Sequence, residues 1–382
     1  MNKHHFDIDV ASQRQDMATA GANGTCTSDT VGDVTAAARD ISHQKLHRGL
    51  TTTIASVPLR NAIWLRSLRL ANRFRVMRTI DIAVRCFAER PFKAALSAAQ
   101  RAVRGMVKAK LLARYRTDRF QTVYGLTQRG VAWLEAQGVE ATASVRRVTD
   151  MTNPEHRLWA QFLTLCCEAR GLRALVEQEM LQALSKSSGT ENETKHGLLT
   201  VASKGSRKRM SLRPDAIAIE RDGITWFEVD RSARGSNRAE SLRALAMAVG
   251  TSVFEKKQLR RVIVFSKTER IRNRVVATLS ELAEQTRNSS LTVNRRWISR
   301  LEDDTFEVWQ AVDDRLSDGR IRLIDVLAGH VIVQQLPTWL PKVRMDGRGE
   351  HSTDGWFYEN YLPYRRAPGQ PKWQHPDSLL HR

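Results

Sequence analysis

Arg213-Pro214-Asp215-Ala216-Ile217-Ala218-Ile219 and Ile224-Thr225-Trp226-Phe227-Glu228-Val229-Asp230-Arg231-Ser232 are joined by Glu220-Arg221-Asp222-Gly223. The apolar-rich runs Ala216 to Ile219 and Ile224 to Val229 read as strands, and Asp222-Gly223 is a favoured dipeptide for a two-residue hairpin turn. Such a turn pairs Arg221 with Ile224, so that Ile217 faces Glu228 and Asp215 faces Asp230. Opposed residues share a side of the sheet, which brings Asp215, Glu228 and Asp230 to one face. A three-residue turn pairs Glu220 with Ile224 instead and sends Asp215 to the face opposite Glu228. Gathered carboxylates repel one another unless a cation neutralises them, and oxygen-only ligand sets suit Mg²⁺, with Mn²⁺ as a substitute. An exposed polar face on a surface hairpin is the alternative reading, and it stays open at this point.

The charge of the whole chain bears on that choice. Its 382 residues carry 61 Lys and Arg against 41 Asp and Glu, a formal charge of +20. Such an excess concentrates polyanions, and double-stranded DNA is the expected partner. Anionic membrane competes as an explanation, but no apolar run approaches the roughly 18 residues of a spanning helix, so no membrane span is expected. The start Met1-Asn2-Lys3-His4-His5-Phe6-Asp7 lacks an apolar secretory core, and Cys26, Cys86, Cys166 and Cys167 show no CxxC spacing. A reducing, cytoplasmic setting is therefore expected, with no zinc site and no disulfide framework. Phosphate-loop, HExxH and paired-Cys patterns are absent from the sequence.

Along the chain, residues 1–57 are rich in Thr, Ser, Ala, Asp and Gly and are expected to be disordered. From Leu59 helical spacing sets in, through Ile63, Trp64, Leu65, Leu68 and Phe74. A second helix follows over Ile80 to Phe87, and a third runs from near Pro91 through Ala95, Leu96, Ala99, Val103 and Met106. Two strands around a basic turn, Leu111 to Arg116 and Thr122 to Leu126, precede Thr127-Gln128-Arg129-Gly130 and a closing helix. Three helices, a hairpin and a helix make a winged helix-turn-helix over 58–140, whose third helix enters the major groove while the wing lies along the backbone. Lys93, Gln100, Arg101, Arg104 and Lys108 fall on the polar side of that helix, and Arg114, Arg116 and Arg119 on or near the wing. Arg and Lys there supply phosphate contacts, and Gln100 and Arg101 reach base edges. The rival is a solvated basic face.

A polar joint leads to a second domain over 150–300. Its order is helix, strand, carboxylate hairpin, helix capped by Asn237 to Glu240, buried strand Arg261 to Ser266, and helix Ile271 to Ala283, with 185–209 expected as an exposed loop. The fold class is α+β or α/β, a winged helix followed by a mixed-sheet domain with flexible tails. Residues 301–382 read as a partly disordered C-terminal extension, within which Ile321 to Leu327 is helix or strand and Tyr358, Tyr361 and Tyr364 cluster.

The winged helix, the helix start His156-Arg157-Leu158, Arg213-Pro214-Asp215-Ala216 and Phe227-Glu228-Val229-Asp230-Arg231-Ser232 together resemble the replication-relaxation family of plasmids and integrative elements, which includes MobC-type mobilisation proteins. The resemblance covers roughly Leu59 to Gln285, and its second half is similar to the PD-(D/E)XK nuclease superfamily. It implies a restriction-endonuclease-like fold in which Asp215 and Glu228 hold Mg²⁺ and Asp230 takes the place usually filled by Lys. Asp230 brings no positive charge but is able to serve as a metal ligand or general base, leaving Arg231, Arg234 or Arg243 to supply a cation. The resemblance also implies relaxosome or replication proteins as partners, and a homodimer stays open. Three functions follow: an endonuclease, a catalytically silent relaxosome accessory factor, or a transcriptional regulator that uses only the winged helix.

Overall fold

The structure, a computed structural model, describes residues 56–116, 122–143, 154–188, 198–202, 209–230, 236–288, 295–317, 319–336 and 363–376. The segment expected to be disordered lies almost wholly outside them. From Ser56 onward the chain clusters as one compact unit.

Helices α1 (Ser56–Phe74), α2 (Thr79–Phe87) and α3 (Phe92–Lys108) come first. Pro58 is tolerated in the first turn of α1. The helix stops where Arg75 takes the left-handed conformation, with φ of 70°. Helix α2 begins one residue after Arg78, whose backbone N–H is capped by Asp81 at 2.7 Å. Antiparallel strands β1 (Leu112–Arg116) and β2 (Thr122–Leu126) follow, then α4 (Gln128–Glu135). A backbone bridge between Met77 and Tyr124 ties the α1–α2 connection to β2.

The second part contains α5 (Pro154–Ala169), β3 (Arg173–Val176), α6 (Glu177–Ser188), β4 (Leu199–Ala202), β5 (Arg209–Leu212), β6 (Ala216–Ile219), β7 (Ile224–Asp230), α7 (Ser236–Met247), β8 (Ser252–Phe254), β9 (Lys257–Ser266), α8 (Glu269–Asn288), β10 (Arg296–Arg300), β11 (Thr305–Arg315) and β12 (Ile321–Gln335). The main sheet is mixed, in the order β10-β11-β12-β9-β7-β6-β3, with β8 beside β9. Strand β9 runs parallel to both β7 and β12, and the other pairings are antiparallel. The chain is therefore a mixed α and β fold built on a multi-stranded mixed sheet.

The two faces of the sheet are covered differently. Ile217, Trp226, Val262 and Val264 pack with Leu245 and Ala246 of α7 and with Val275 and Leu279 of α8. On the other face, Ala216, Phe227, Ile263 and Phe265 share a core with Phe162 and Cys166 of α5. That core continues without a break into Leu68, Ile80 and Leu96 of the first three helices.

Three expectations change. Residues 301–336 are integral to the sheet, and β12 lies between β11 and β9 instead of belonging to an extension. Its inner half is a continuous buried run, Ala328 to Val333, and such runs lack the alternation that separates strand from helix. The expected loop 185–209 contains the end of α6 and strand β4, which pairs antiparallel with β5. Finally, the two-residue turn is replaced by a longer connection, since Ile224 pairs with Ile219 and not with Arg221. Glu220 N–H closes this connection on the Gly223 carbonyl at 2.8 Å, while Arg261 holds Asp222 through two 2.6 Å hydrogen bonds. The register is offset by an even number of positions, 221 to 219, so no side chain changes face.

A stretch of the tail, 363–376, also reaches the core, through buried Tyr364 and Ala367 with Trp373 packed against them. Tyr364 is fully buried, with its ring 5.6 Å from Phe227 and 4.8 Å from Trp373. Its hydroxyl donates to Glu220, which also pairs with Arg366 at 2.7 Å and Arg261 at 3.2 Å. Burial alone raises the Glu220 carboxyl, but Arg261 and these hydrogen bonds outweigh it and hold the group below the ordinary carboxylate range. Burial and the neighbouring Glu220 push the Tyr364 phenol well above its usual value, so it stays protonated as a donor.

Candidate carboxylate pocket and basic helix face

Pro214 carries the chain into β6, and Asp215 N–H donates to the Phe227 carbonyl at 3.0 Å. With Ala216 paired to Phe227, this sets Asp215 opposite Glu228, two positions nearer than a two-residue turn would have it. Both side chains are half-buried and line the same cavity of about 350 Å³. Asp215 Oδ2 accepts from Val229 N–H at 2.6 Å, and Oδ1 stands 2.9 Å from His156 Nε2 near the start of α5. Glu228 Oε1 accepts from the indole N–H of Trp226 at 2.6 Å. Asp230 ends β7 beside Ser266, and its side chain lies outside what the structure describes.

The rest of the cavity wall divides by chemistry. Arg213, Arg238 and Arg274 bring positive charge to it from β5–β6, α7 and α8, and Ser241 and Thr278 bring hydroxyls. Leu242, Leu245, Val264, Ile271 and Val275 form an apolar wall. Of the cations expected here, Arg231 and Arg234 lie outside the described residues, and Arg243 is paired with Glu281 at 2.7 Å. His156 was legible only as part of a helix start, because its approach to Asp215 depends on how α5 lies across the sheet.

Among the described residues no group of three or more His, Cys, Asp or Glu forms a metal site. The donor set at hand is the pair Asp215 and Glu228. That pair fits Mg²⁺, which is commonly held by one or two carboxylates with waters and substrate phosphates completing the shell.

On α3, the apolar residues Ala95, Leu96, Ala99, Val103 and Met106 are buried, and Lys93, Gln100, Arg101, Arg104 and Lys108 are all exposed. No described carboxylate pairs with these four cations. Arg114 and Arg116 are exposed on β1, and Arg119 lies outside the described residues. No helix among the described residues is long and apolar enough to cross a membrane. Compared with protein-family models, curated proteins and solved structures, the chain finds no match.

Proposed function

We propose that this chain binds double-stranded DNA through residues 58–140, read as a winged helix-turn-helix, and serves the replication, relaxation or mobilisation of a plasmid or integrative element. The observation that carries this reading is the exposed row Lys93, Gln100, Arg101, Arg104 and Lys108 on the face of α3 turned away from the core. Five polar side chains on one helix face, four of them cationic, suit a phosphate-lined groove.

The sheet domain, read as PD-(D/E)XK-like, nicks or cuts a phosphodiester in this proposal. Asp215 and Glu228 would hold Mg²⁺, which when bound supplies charge for a phosphoryl oxygen and a more acidic water. Val229 N–H and His156 fix the Asp215 carboxylate, and Trp226 fixes that of Glu228. The arginines of the cavity wall offer the positive charge that Asp230 lacks. The Asp at the usual Lys place favours a second reading, a catalytically silent scaffold that grips DNA while another protein cuts.

Supercoiled plasmid carrying candidate origin sequence, incubated with Mg²⁺ or Mn²⁺, separates the two. Metal-dependent open-circular or linear product that disappears with Glu228→Ala is the expected result. Tight binding with no product selects the accessory-factor reading, and no binding at all sinks both.

A further inference from the structure

The walls of the Asp215–Glu228 cavity are more varied than a bare phosphate requires. A phosphate needs cations and donors, and Arg213, Arg238 and Arg274 are of that kind. It has no use for the apolar wall of Leu242, Leu245, Val264, Ile271 and Val275 that faces the same space. At about 350 Å³ the cavity falls within the range of sites that take small organic ligands. Paired DNA keeps the flat faces of its bases stacked inside the helix and presents only sugar, phosphate and base edges outward. An unpaired nucleotide presents all three parts, an anion and a flat apolar ring joined by a sugar.

We propose that the cavity is a nucleotide pocket, taking one unpaired nucleoside monophosphate unit with its base and sugar along the apolar wall and its phosphate toward the arginines. The carboxylate pair Asp215 and Glu228 lines the same cavity, where it would hold a divalent cation that supplies positive charge near the phosphate. The inference deepens the nuclease reading and rests on it for the source of the nucleotide. In DNA the unit is a strand end or a nucleotide flipped from the stack, at a cost that is least where pairing is already lost. A free mononucleotide offers the same chemistry.

Titration calorimetry with the full chain in Mg²⁺ tests this, using 5′-dTMP and inorganic phosphate as probes. The expected result is dTMP binding at least about tenfold tighter than phosphate, weakened about tenfold by Arg238→Ala with Arg274→Ala. Ala239→Trp, which fills the cavity from α7, should abolish dTMP binding with the thermal midpoint retained. Phosphate binding as tightly as dTMP overturns the proposal, as does dTMP binding that survives Ala239→Trp. Duplexes with a single-nucleotide overhang, compared with blunt ones, then separate the sources, since only a DNA-borne nucleotide favours the overhang. If plasmid is cut but dTMP does not bind, the nucleotide pocket fails and the nuclease reading stands. If dTMP binds but plasmid stays intact, the pocket stands and the nuclease reading fails.

Discussion

A β-carbon on Gly130 would lie 2.2 Å from the Leu111 carbonyl oxygen, which explains the glycine that closes Thr127-Gln128-Arg129-Gly130. Thr127 Oγ1 accepts from Gly130 N–H at 3.0 Å and donates to the Lys110 carbonyl at 2.7 Å, pinning α4 to the end of α3. Because the obstacle is backbone and not a flexible side chain, Gly130→Ala should cost about 3 kcal/mol of unfolding free energy in urea, near the upper end of overpacking effects. His330 gives a second prediction at this scale. Its ring is buried, its Nε2 has no hydrogen-bond partner among the described residues, and burial holds its pKa below the ordinary histidine value, with Arg261 and Arg260 reinforcing the effect and Glu307 and Asp222 opposing it. The folded state thus favours the neutral ring, while the unfolded chain protonates near about pH 6.5. This contribution is complete above that pH and is lost as pH falls from there toward the folded value. His330→Gln should flatten the decline of the urea midpoint between about pH 7 and 5.5. An unchanged decline would assign it to another group. Glu220 and Asp222, both held low, contribute separately and only under more acid conditions.

At the scale of single elements, α3 is the most legible. Buried Ala95, Leu96, Ala99, Val103 and Met106 alternate at helical spacing with exposed cations, and the sequence pattern by itself predicts which side faces outward. Arg101→Ala with Arg104→Ala should weaken duplex binding and reduce the salt slope by about one per lost phosphate contact, so by about two for the pair. A slope equal to the parent's would move the DNA surface off α3. The β6–β7 hairpin was legible in a different way. Its strands and their alternation were readable, so Asp215 and Glu228 emerge on one side as expected. The length of the turn was not, because Asp222-Gly223 is drawn into a wider connection by Arg261, a residue far along the chain and only 2% exposed. Strand β12 was ambiguous over Ile321 to Leu327 because that half is largely exposed, with Ile321 60% and Leu323 62% exposed, so its apolar residues mark no buried face.

Across the whole molecule, the helical module and the sheet are joined by polar as well as apolar contacts. Arg73 of α1 reaches Glu168 at 2.7 Å and also pairs with Glu179, which lies on α6. Buried Asp81 is held by Arg78 at 2.9 Å and by Gln161 of α5 at 3.1 Å, and Arg78 also donates to the Leu158 carbonyl at 2.9 Å. With one apolar cluster running through both parts, residues from Ser56 onward should unfold in a single cooperative calorimetric transition despite their two-part sequence organisation. Arg73→Ala should lower that transition without splitting it, and two resolved transitions in the parent would show that the parts are independent.

What the sequence determined by itself was local and periodic: the buried faces of the first three helices, the glycine and threonine that seat α4, the strand pair bearing Asp215 and Glu228, and a charge suited to polyanions. Tertiary structure alone decided the partners that come from far along the chain. His156 comes to Asp215 from the start of α5, Arg238 and Arg274 line the cavity of the carboxylates from two helices, and Tyr364 comes to Glu220 from near the C-terminus. The physical reason is that periodicity records which side of an element is buried, whereas the choice of neighbour depends on how whole elements cross, and no short run of residues encodes that.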